Sequence, residues 1–194
     1  MNAAQLASQK PARCGWCEGN ELYERYHDEE WGEPVHDDRK HFEFLLLEGA
    51  QAGLNWLTIL KRREGYKKAF SDFDPRKVAA FDERDIARLS SDEGIIRNRL
   101  KIQSAIKNAE VFLAIQREFG SFDTYIWGFV DGQPVINRPK RLTDIPATSD
   151  LSDRVSKDLK KRGMSFVGST IIYAHLQATG IVNDHIRTCF KSTH

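Results

Sequence analysis

The 194-residue sequence has no long hydrophobic run, few cysteines and almost no excess charge. No stretch reaches the roughly 18 consecutive apolar residues that a membrane span needs, and residues 1–12 lack the apolar core of a signal peptide. We therefore expect a cytoplasmic protein with no membrane partner. Because cytosolic thiols normally stay reduced, the three cysteines are better candidates for metal ligands than for disulfides.

The formal net charge of +1 supplies no general attraction for a polyanion. A nucleic-acid partner would have to be held by a local basic patch. The length and the 40% hydrophobic content suit one well-packed unit. We expect a disordered N-terminal tail over residues 1–12 and a single monomeric unit over residues 13–194.

Helical patterns dominate the chain, whereas strand-like alternation is almost absent. The clearest apolar stripe lies within 97–118, where Gly120 supplies a C-terminal stop. A second helix is expected to start after Asp37, and a further apolar segment over 54–60 should meet it near Gly53. Shorter helices are expected at 75–81, 83–90, 123–130, 149–161 and 168–179. The stretch 132–145 is rich in turn residues and is expected to be an irregular surface connection.

The segment 159–168, LKKRGMSFVG, joins two predicted helices with the spacing of a helix-hairpin-helix. Gly163 permits a tight reversal, Gly168 lets the backbone approach a phosphate, and free N–H groups at Ser169 would face that anion. Arg162 and the lysines beside it add a salt-sensitive attraction. Such contacts would hold duplex DNA without reading its sequence. An ordinary glycine-capped turn with a solvated basic face fits the same residues equally well.

Metal-ligating residue types occur near both ends of the chain. His185 and Cys189 are four residues apart and would share one face of a helix. Any two of Cys14, Cys17 and His27 would complete a tetrahedral structural site, and spacing alone favours the Cys14–Cys17 pair. Buried thiols and histidines without a metal are an equally good interpretation. The other histidines show no ligand spacing: His36, His41, His175 and His194.

Glu48 follows the apolar run 44–47 and lies at the edge of an apolar helix face. A buried charge is costly without a compensating partner, so Glu48 is a candidate site residue, although a helix-end glutamate often reaches solvent. The first third of the chain also concentrates aromatic residues. They could form the flat walls that a flipped base needs, although large aromatics more often belong to the core. They are Trp16, Tyr23, Tyr26, Trp31 and Trp56.

Six motifs in order along the chain make the sequence similar to the 3-methyladenine DNA glycosylase I family. They are RCGW at 13–16, YHDEEWG at 26–32, LEGAQAGLNW at 47–56, GIIR at 94–97, FVG at 166–168 and VNDH at 182–185. The resemblance covers nearly the whole chain after the tail. It implies an all-α, two-lobed bundle of the helix-hairpin-helix DNA glycosylase type, with the base pocket between the lobes.

The same resemblance implies an enzyme of base-excision repair. It would hydrolyse the N-glycosidic bond of 3-methyladenine in alkylated duplex DNA after base flipping, leaving an abasic site, and would bind free 3-methyladenine as its product. Glu48 would be the catalytic residue, and the turn against the gap in the duplex would contain Gln51, Gly53 and Leu54. The base-binding residues would be Tyr26, Trp56, Trp16 and Tyr23.

The resemblance also implies one structural zinc ion per chain, which would join the N- and C-terminal segments. Its ligands would be Cys14, His27, His185 and Cys189, with Cys17 left as a spare thiol. This set differs from the one that spacing alone favours.

The chain departs from many helix-hairpin-helix relatives where they carry a catalytic aspartate. Asn183 occupies that position, and the nearest carboxylate, Asp184, is displaced by one residue. Asp184 is better interpreted as a supporting or capping group beside the metal. We therefore expect the enzyme to act only on bases that are good leaving groups.

Two alternative functions stay open. One is a zinc-stabilised, non-enzymatic DNA-binding module, and the other is a zinc hydrolase with three protein ligands and an open position.

Overall fold

The computed structural model describes residues 11–192, so most of the tail predicted over 1–12 lies outside the described residues. Ten α-helices make up most of this region, which confirms the all-helical prediction. They are α1 (Glu21–Glu29), α2 (Asp38–Gln51), α3 (Trp56–Leu60), α4 (Arg63–Ala69), α5 (Pro75–Ala79), α6 (Glu83–Ser90), α7 (Arg99–Phe119), α8 (Phe122–Trp127), α9 (Asp150–Lys161) and α10 (Ser169–Ala178). Across the described residues, no helix is both long and apolar enough to cross a membrane.

Helix ends follow local signals that the sequence displays. Asp37 caps α2 by accepting the backbone N–H of Lys40, and Ser149 forms a capping box at the start of α9. Gly120 ends α7 with φ of +87°. Gly53, with φ of +78°, separates α2 from α3. These caps explain why the predicted and observed boundaries agree closely.

Two helices and a pair of short strands escaped the sequence analysis. Helix α1 carries Tyr23, Tyr26 and His27, and α4 follows α3 almost directly. The strands β1 (Val135–Ile136) and β2 (Val182–Asn183) pair in parallel, with Val135 opposite Val182. The stretch 132–145 holds β1 and a 3₁₀ turn but no α-helix, so it is an irregular connection as predicted.

Two hydrophobic clusters fill the interior. The larger one surrounds α7, whose residues Ile102, Ala109, Phe112 and Ile115 are nearly or fully buried. The smaller cluster joins the first part of the chain to the last. It contains Cys14, Tyr26, Trp31, Phe44, Leu60, Ala178 and Cys189.

The turn between α9 and α10 is braced from α7. Asn108 accepts the backbone N–H of Ser165 and donates its amide to the carbonyl of the same residue, at 2.9 and 2.8 Å. Gly163 reverses the chain with φ of +103°, a conformation that side chains disfavour. Gly168 then opens α10, and no side chain caps this helix. The sequence-predicted turn is therefore present, and its α10 end presents backbone N–H groups.

Arg162 is held within the fold at the end of α9. Its guanidinium pairs with Glu118 and Asp158, both at 2.6 Å, and lies over the rings of Phe119 and Tyr125. These two carboxylates compensate its charge. Lys160 and Lys161 are exposed beside it, so they are the freer positive charges of this turn.

Asp38 ties three helices together at the start of α2. Its carboxylate accepts the side-chain amide of Gln116 and the backbone N–H groups of Phe122 and Asp123, at 2.6, 2.9 and 2.8 Å. The last two contacts satisfy N–H groups at the N-terminus of α8, where a negative charge is favourable.

We expect Asp38→Ala to destabilise the protein by roughly 2–4 kcal/mol, because three hydrogen bonds to a charged group are lost. Urea unfolding followed by circular dichroism measures this change. Glu110→Ala, which removes an exposed ion pair with Lys107 on α7, should change stability by no more than about 0.5 kcal/mol. Similar unfolding midpoints for the two variants would contradict the bracing role of Asp38.

Candidate active site and metal cluster

A cavity of about 360 Å³ opens where α1, α2, α3 and α10 meet. Its walls are mainly aromatic and apolar, with a few polar groups, as small-molecule sites usually are. The lining residues are Trp16, Tyr23, Tyr26, Trp31, Glu48, Gln51, Trp56, Leu142, Ile145, Ala174, Gln177 and Ala178. All five residues that the sequence analysis placed at the base site, Glu48 and four aromatics, therefore line one cavity.

The aromatic walls support one another through ring contacts. Tyr26 lies 5.6 Å from Trp56 between ring centroids, and Trp16 meets Tyr23 edge-on at 4.8 Å and Trp31 at 5.2 Å. Such tilted contacts hold large flat side chains in place. The Nε1 of Trp56 is buried and has no hydrogen-bond partner among the described residues. The cavity thus offers both flat surfaces and a buried donor.

Glu48 is the acidic group of the cavity. It lies in the third turn of α2, and only 3% of its surface is exposed. Its Oε2 lies 2.9 Å from Nδ1 of His175, whereas Oε1 is buried without a partner among the described residues. Burial raises the pKa of the Glu48 carboxyl well above its usual value. Burial therefore extends to higher pH the range over which this carboxyl is neutral.

The turn after α2 reaches the rim of the cavity. Gln51 lines the cavity, and Leu54 is 43% exposed, which is unusual for a large apolar side chain in this structure. Lys101 of α7 donates its Nζ to the carbonyls of Ala50 and Ala52, at 2.8 and 2.6 Å. These two bonds hold the turn in place while its tip projects outward.

Four metal-ligating side chains converge beside the aromatic wall. They are Cys14, His27, His185 and Cys189, all buried, and their donor atoms lie within 4.8 Å of one another. Cys189 Sγ is 3.4 Å from Nε2 of His27 and 3.5 Å from Nδ1 of His185, and Cys14 Sγ is 3.6 Å from the same Nδ1. Ligands at about 2.0–2.3 Å from a tetrahedral ion are separated by roughly 3.3–3.8 Å. The cluster could therefore hold a metal ion.

Both histidines of the cluster have their second ring nitrogen engaged. His27 Nδ1 lies 2.8 Å from Asp28, whose carboxylate also receives the guanidinium of Arg13. His185 Nε2 lies 3.0 Å from the carbonyl oxygen of Trp31. An acceptor at that nitrogen keeps the ring proton there. The other ring nitrogen is then unprotonated and directs its lone pair toward the cluster. This arrangement is the one that metal-binding histidines commonly use.

Cys17 lies outside the cluster of converging donors. The Sγ of Cys17 donates to the carbonyl of Cys14 at 3.1 Å and is not one of the four converging donors. The set that spacing alone favoured is therefore wrong in its choice of Cys17, and the set implied by the resemblance is the one that comes together.

Gly32 packs directly against the His185 ring. It has φ of +80°, and a Cβ there would lie 2.8 Å from Nε2 of His185, so only glycine fits.

Asp184 is buried but is not among the residues that line the cavity. It accepts hydrogen bonds from Tyr173, Gln177 and Asn137, at 2.6, 2.7 and 2.8 Å. These contacts tie β2 to α10 and to the segment after β1. Asp184 thus anchors the chain just before His185, which agrees with a supporting role rather than a catalytic one.

Sequence reasoning missed His175 and Gln177, which approach the cavity from α10. His175 is fully buried and lies on the same helix face as Ile172 and Thr179, both also fully buried. A histidine within an apolar stripe is the signal that could have identified it. His41 occupies the equivalent position in α2, beside Phe42, and its ring centroid lies 5.6 Å from that of His175.

Comparisons with known proteins agree on one family. Residues 16–192 match the methyladenine glycosylase family. DNA-3-methyladenine glycosylase 1 of Escherichia coli (strain K12) is 50% identical over 177 residues, which span 91% of this chain and 95% of that protein.

Two solved structures are similar to the fold as well as to the sequence. A crystal structure of 3-methyladenine DNA glycosylase I has a TM-score of 0.91 at 50% identity and covers 94% of this chain and 100% of its own. A variant of 3-methyladenine DNA glycosylase I in complex with 3-methyladenine has a TM-score of 0.91 at 35% identity, covering 94% of this chain and 98% of its own.

We expect Glu48→Gln to stabilise the folded protein, by an amount that grows with pH. The folded pKa of Glu48 lies above its usual value of 4.5, so the folded state keeps a proton that the unfolded state releases. The stability contributed by this protonation is complete below the unfolded pKa and is lost as pH rises toward the folded pKa, by up to about 1.4 kcal/mol per pH unit.

Thermal unfolding of both proteins at about pH 5 and about pH 8 measures this dependence, because the loss of stability begins near the unfolded pKa and grows as pH rises above it. The glutamine keeps an oxygen for His175, so packing is preserved. A glutamine variant no more stable than wild type at the higher pH would contradict a raised pKa at Glu48.

Proposed function

This chain belongs to the methyladenine glycosylase family, and we propose that it hydrolyses the N-glycosidic bond of 3-methyladenine in alkylated duplex DNA, leaving an abasic site. The observation that carries the proposal is the buried Glu48 carboxyl with one unpartnered oxygen, in a cavity walled by aromatic rings. Such a cavity suits a flipped purine, because rings stack on its faces and a polar group reads its edge. The likeness to a protein in complex with 3-methyladenine supports the same assignment.

Cleavage of the glycosidic bond needs little catalytic help, because methylation at N3 makes the adenine cationic and therefore a good leaving group. When the glycosidic bond breaks, its electron pair neutralises the base, which leaves as 3-methyladenine. Water then adds to the sugar carbon and loses a proton. Among the described residues that line the cavity, Glu48 is the acidic one and the others are aromatic, apolar or amide side chains. We therefore assign no covalent intermediate and propose a monofunctional enzyme.

Selection of the base is the main task of the cavity. Trp56 and Tyr26 stack on the base, with Trp16 and Tyr23 completing the wall, and Glu48 accepts hydrogen bonds from the adenine edge. An anionic carboxylate in a water-poor cavity attracts a cation more strongly than it would in water. A neutral adenine supplies no such compensation and leaves Glu48 protonated. The cavity thus favours the cationic base.

Two surfaces would hold the DNA. The helix-hairpin-helix formed by α9 and α10 presents the uncapped N-terminus of α10 at Gly168 and Ser169, where a Cβ on residue 168 would meet open space. This opening lets a phosphate approach the backbone, and the turn at Gly163 sets the angle between the helices. The projecting turn from Gln51 to Leu54 would occupy the gap that the flipped base leaves.

Zinc is the ion that the metal cluster suits best. Two thiolates and two neutral imidazoles form a closed tetrahedral set, which is typical of structural zinc. Bound there, zinc would join the segment before α1 to the segment after β2, and it would leave no open position for hydrolytic chemistry. We propose one zinc ion per chain, in a protein that acts as a monomer.

We expect the protein to release 3-methyladenine from methylated duplex DNA without nicking the strand. Chromatography of the released bases and gel analysis of the strand measure the two outcomes. Glu48→Gln should slow release by about 10-fold or more while duplex binding persists, because a carboxylate that stabilises charge is lost. Binding of duplex DNA without release of any base would favour a non-enzymatic DNA-binding module instead.

We expect Cys14→Ser and Cys17→Ser to differ in metal content, although the two changes are chemically identical and lie three residues apart. Cys14→Ser should lose the ion and unfold at a markedly lower temperature, because metal-binding energy contributes to folding. Cys17→Ser should retain one zinc per chain. Elemental analysis and thermal unfolding measure both. Equal metal loss in the two variants would contradict the ligand set.

A further inference from the structure

A buried polar pair closes the inner end of the cavity, between α2 and α10. Glu48 Oε2 lies 2.9 Å from Nδ1 of His175, and the two side chains are 3% and 0% exposed. His175 is not among the residues that line the cavity, so it lies behind Glu48. Burial of an imidazole is costly unless its nitrogens are hydrogen-bonded, and Nε2 of His175 is buried with no partner among the described residues.

A second buried histidine lies behind the first. The ring of His41 is 5.6 Å from that of His175, and His41 Nε2 is 3.5 Å from the carboxylate of Asp123. Burial lowers the pKa of His175 to about 3 and that of His41 to about 4, the latter with a contribution from His175. Both rings are therefore neutral at physiological pH. A neutral His175 can donate Nδ1–H to Glu48 without adding a positive charge.

The charged and titratable groups around this pair include no free cation among the described residues. Glu48 faces His175 and the phenol of Tyr26, whose pKa burial raises well above its usual value. His41 faces His175 and the carboxylates of Asp123 and Asp38.

Two basic side chains of neighbouring helices are engaged elsewhere. Arg63 of α4 pairs with Glu30 and Glu43, both at 2.6 Å. Lys101 is bound to the carbonyls of Ala50 and Ala52. Glu48 thus lacks the internal countercharge that a buried carboxylate normally requires.

We propose that His175 is a positioning residue and a determinant of specificity: its Nδ1–H holds Oε2 of Glu48, directs Oε1 to the base, and supplies no positive charge. This inference rests on the proposed function, since it assigns the missing countercharge to the base. A lysine or arginine at position 175 would compensate the charge of Glu48 permanently. The cavity would then have no electrostatic preference for a cationic base over a neutral one. His175 orients the carboxyl through this one hydrogen bond while leaving its charge uncompensated.

Binding of a cationic base changes the protonation state of Glu48. Because burial raises its pKa, Glu48 of the free protein keeps a proton to higher pH than an exposed glutamate does. When a cationic base binds, that proton is released to solvent, and the carboxylate and the base form a neutral pair. The hydrogen bond from His175 stabilises the carboxylate. Affinity for a cation should therefore rise with pH by up to tenfold per unit while Glu48 is protonated in the free protein.

Two small ligands test the proposal on the whole protein. The 3,9-dimethyladeninium ion carries a permanent charge and has a methyl group in place of the sugar, whereas 3-methyladenine is neutral at mildly alkaline pH. Calorimetry gives the ratio of their affinities. We expect His175→Leu to weaken binding of the cation by about 10-fold or more and binding of 3-methyladenine by no more than about threefold, since a hydrogen bond to a charged group is the stronger one.

Two further variants separate positioning from simple damage to the fold. His175→Gln keeps an N–H donor and should restore the wild-type ratio to within about threefold. Val78→Ala truncates the buried core on α5, away from the cavity, and should destabilise the protein by about 1–3 kcal/mol without changing the ratio. An unchanged ratio in His175→Leu, or a glutamine variant that behaves like leucine, would overturn the proposal.

A spectroscopic measurement on the wild-type protein covers the case in which the leucine variant does not fold. The ¹⁵N resonances of the His175 ring should show a neutral imidazole protonated at Nδ1, both free and with the cation bound. An imidazolium in the complex would show that His175 does supply a countercharge, and the inference would fail. Wild-type protein that binds neither ligand and releases no base would instead refute the proposed function itself.

Discussion

The carboxyl of Glu48, buried without a cation beside it, is the constraint around which this molecule is organised. Desolvation opposes the charged form of an isolated carboxylate and raises its pKa. The fold retains this unfavourable group because α2, α10 and the aromatic wall enclose it together. The cost to stability and the proposed selectivity of the cavity would have the same origin, since both come from a buried carboxyl with no cation beside it.

The metal cluster and the aromatic wall form one structure rather than two. Trp16 follows Cys14 by two residues, and its ring lies 5.4 Å from that of His27. The carbonyl oxygen of Trp31 contacts His185, while the Trp31 ring lines the cavity. A bound ion would therefore hold two walls of the cavity in place as well as join the two ends of the described chain. The proposed metal site and the proposed base site would be coupled through these tryptophans.

Much of the fold could be predicted because helix boundaries depend on neighbouring residues. Asp37, Ser149 and Gly120 signal their helix ends within one turn. Helix α1 was missed because its buried face consists of Tyr26 and His27 rather than aliphatic residues. The strand pair was missed because it has two residues on each side and joins segments almost fifty positions apart, Val135 with Val182.

The sequence by itself determined most of the helices, the turn at Gly163 and the family resemblance, and it made Glu48 a candidate site residue. Only the tertiary structure brought Cys14, His27, His185 and Cys189 together without Cys17, where spacing alone favoured Cys17, and only it placed His175 against Glu48, 127 positions away in the chain. The physical reason is that local caps and periodicity act over three or four residues, whereas the solvation of a carboxyl and the convergence of four ligands depend on which distant segments pack together. Spacing can nominate such groups, but burial and distance determine what they do.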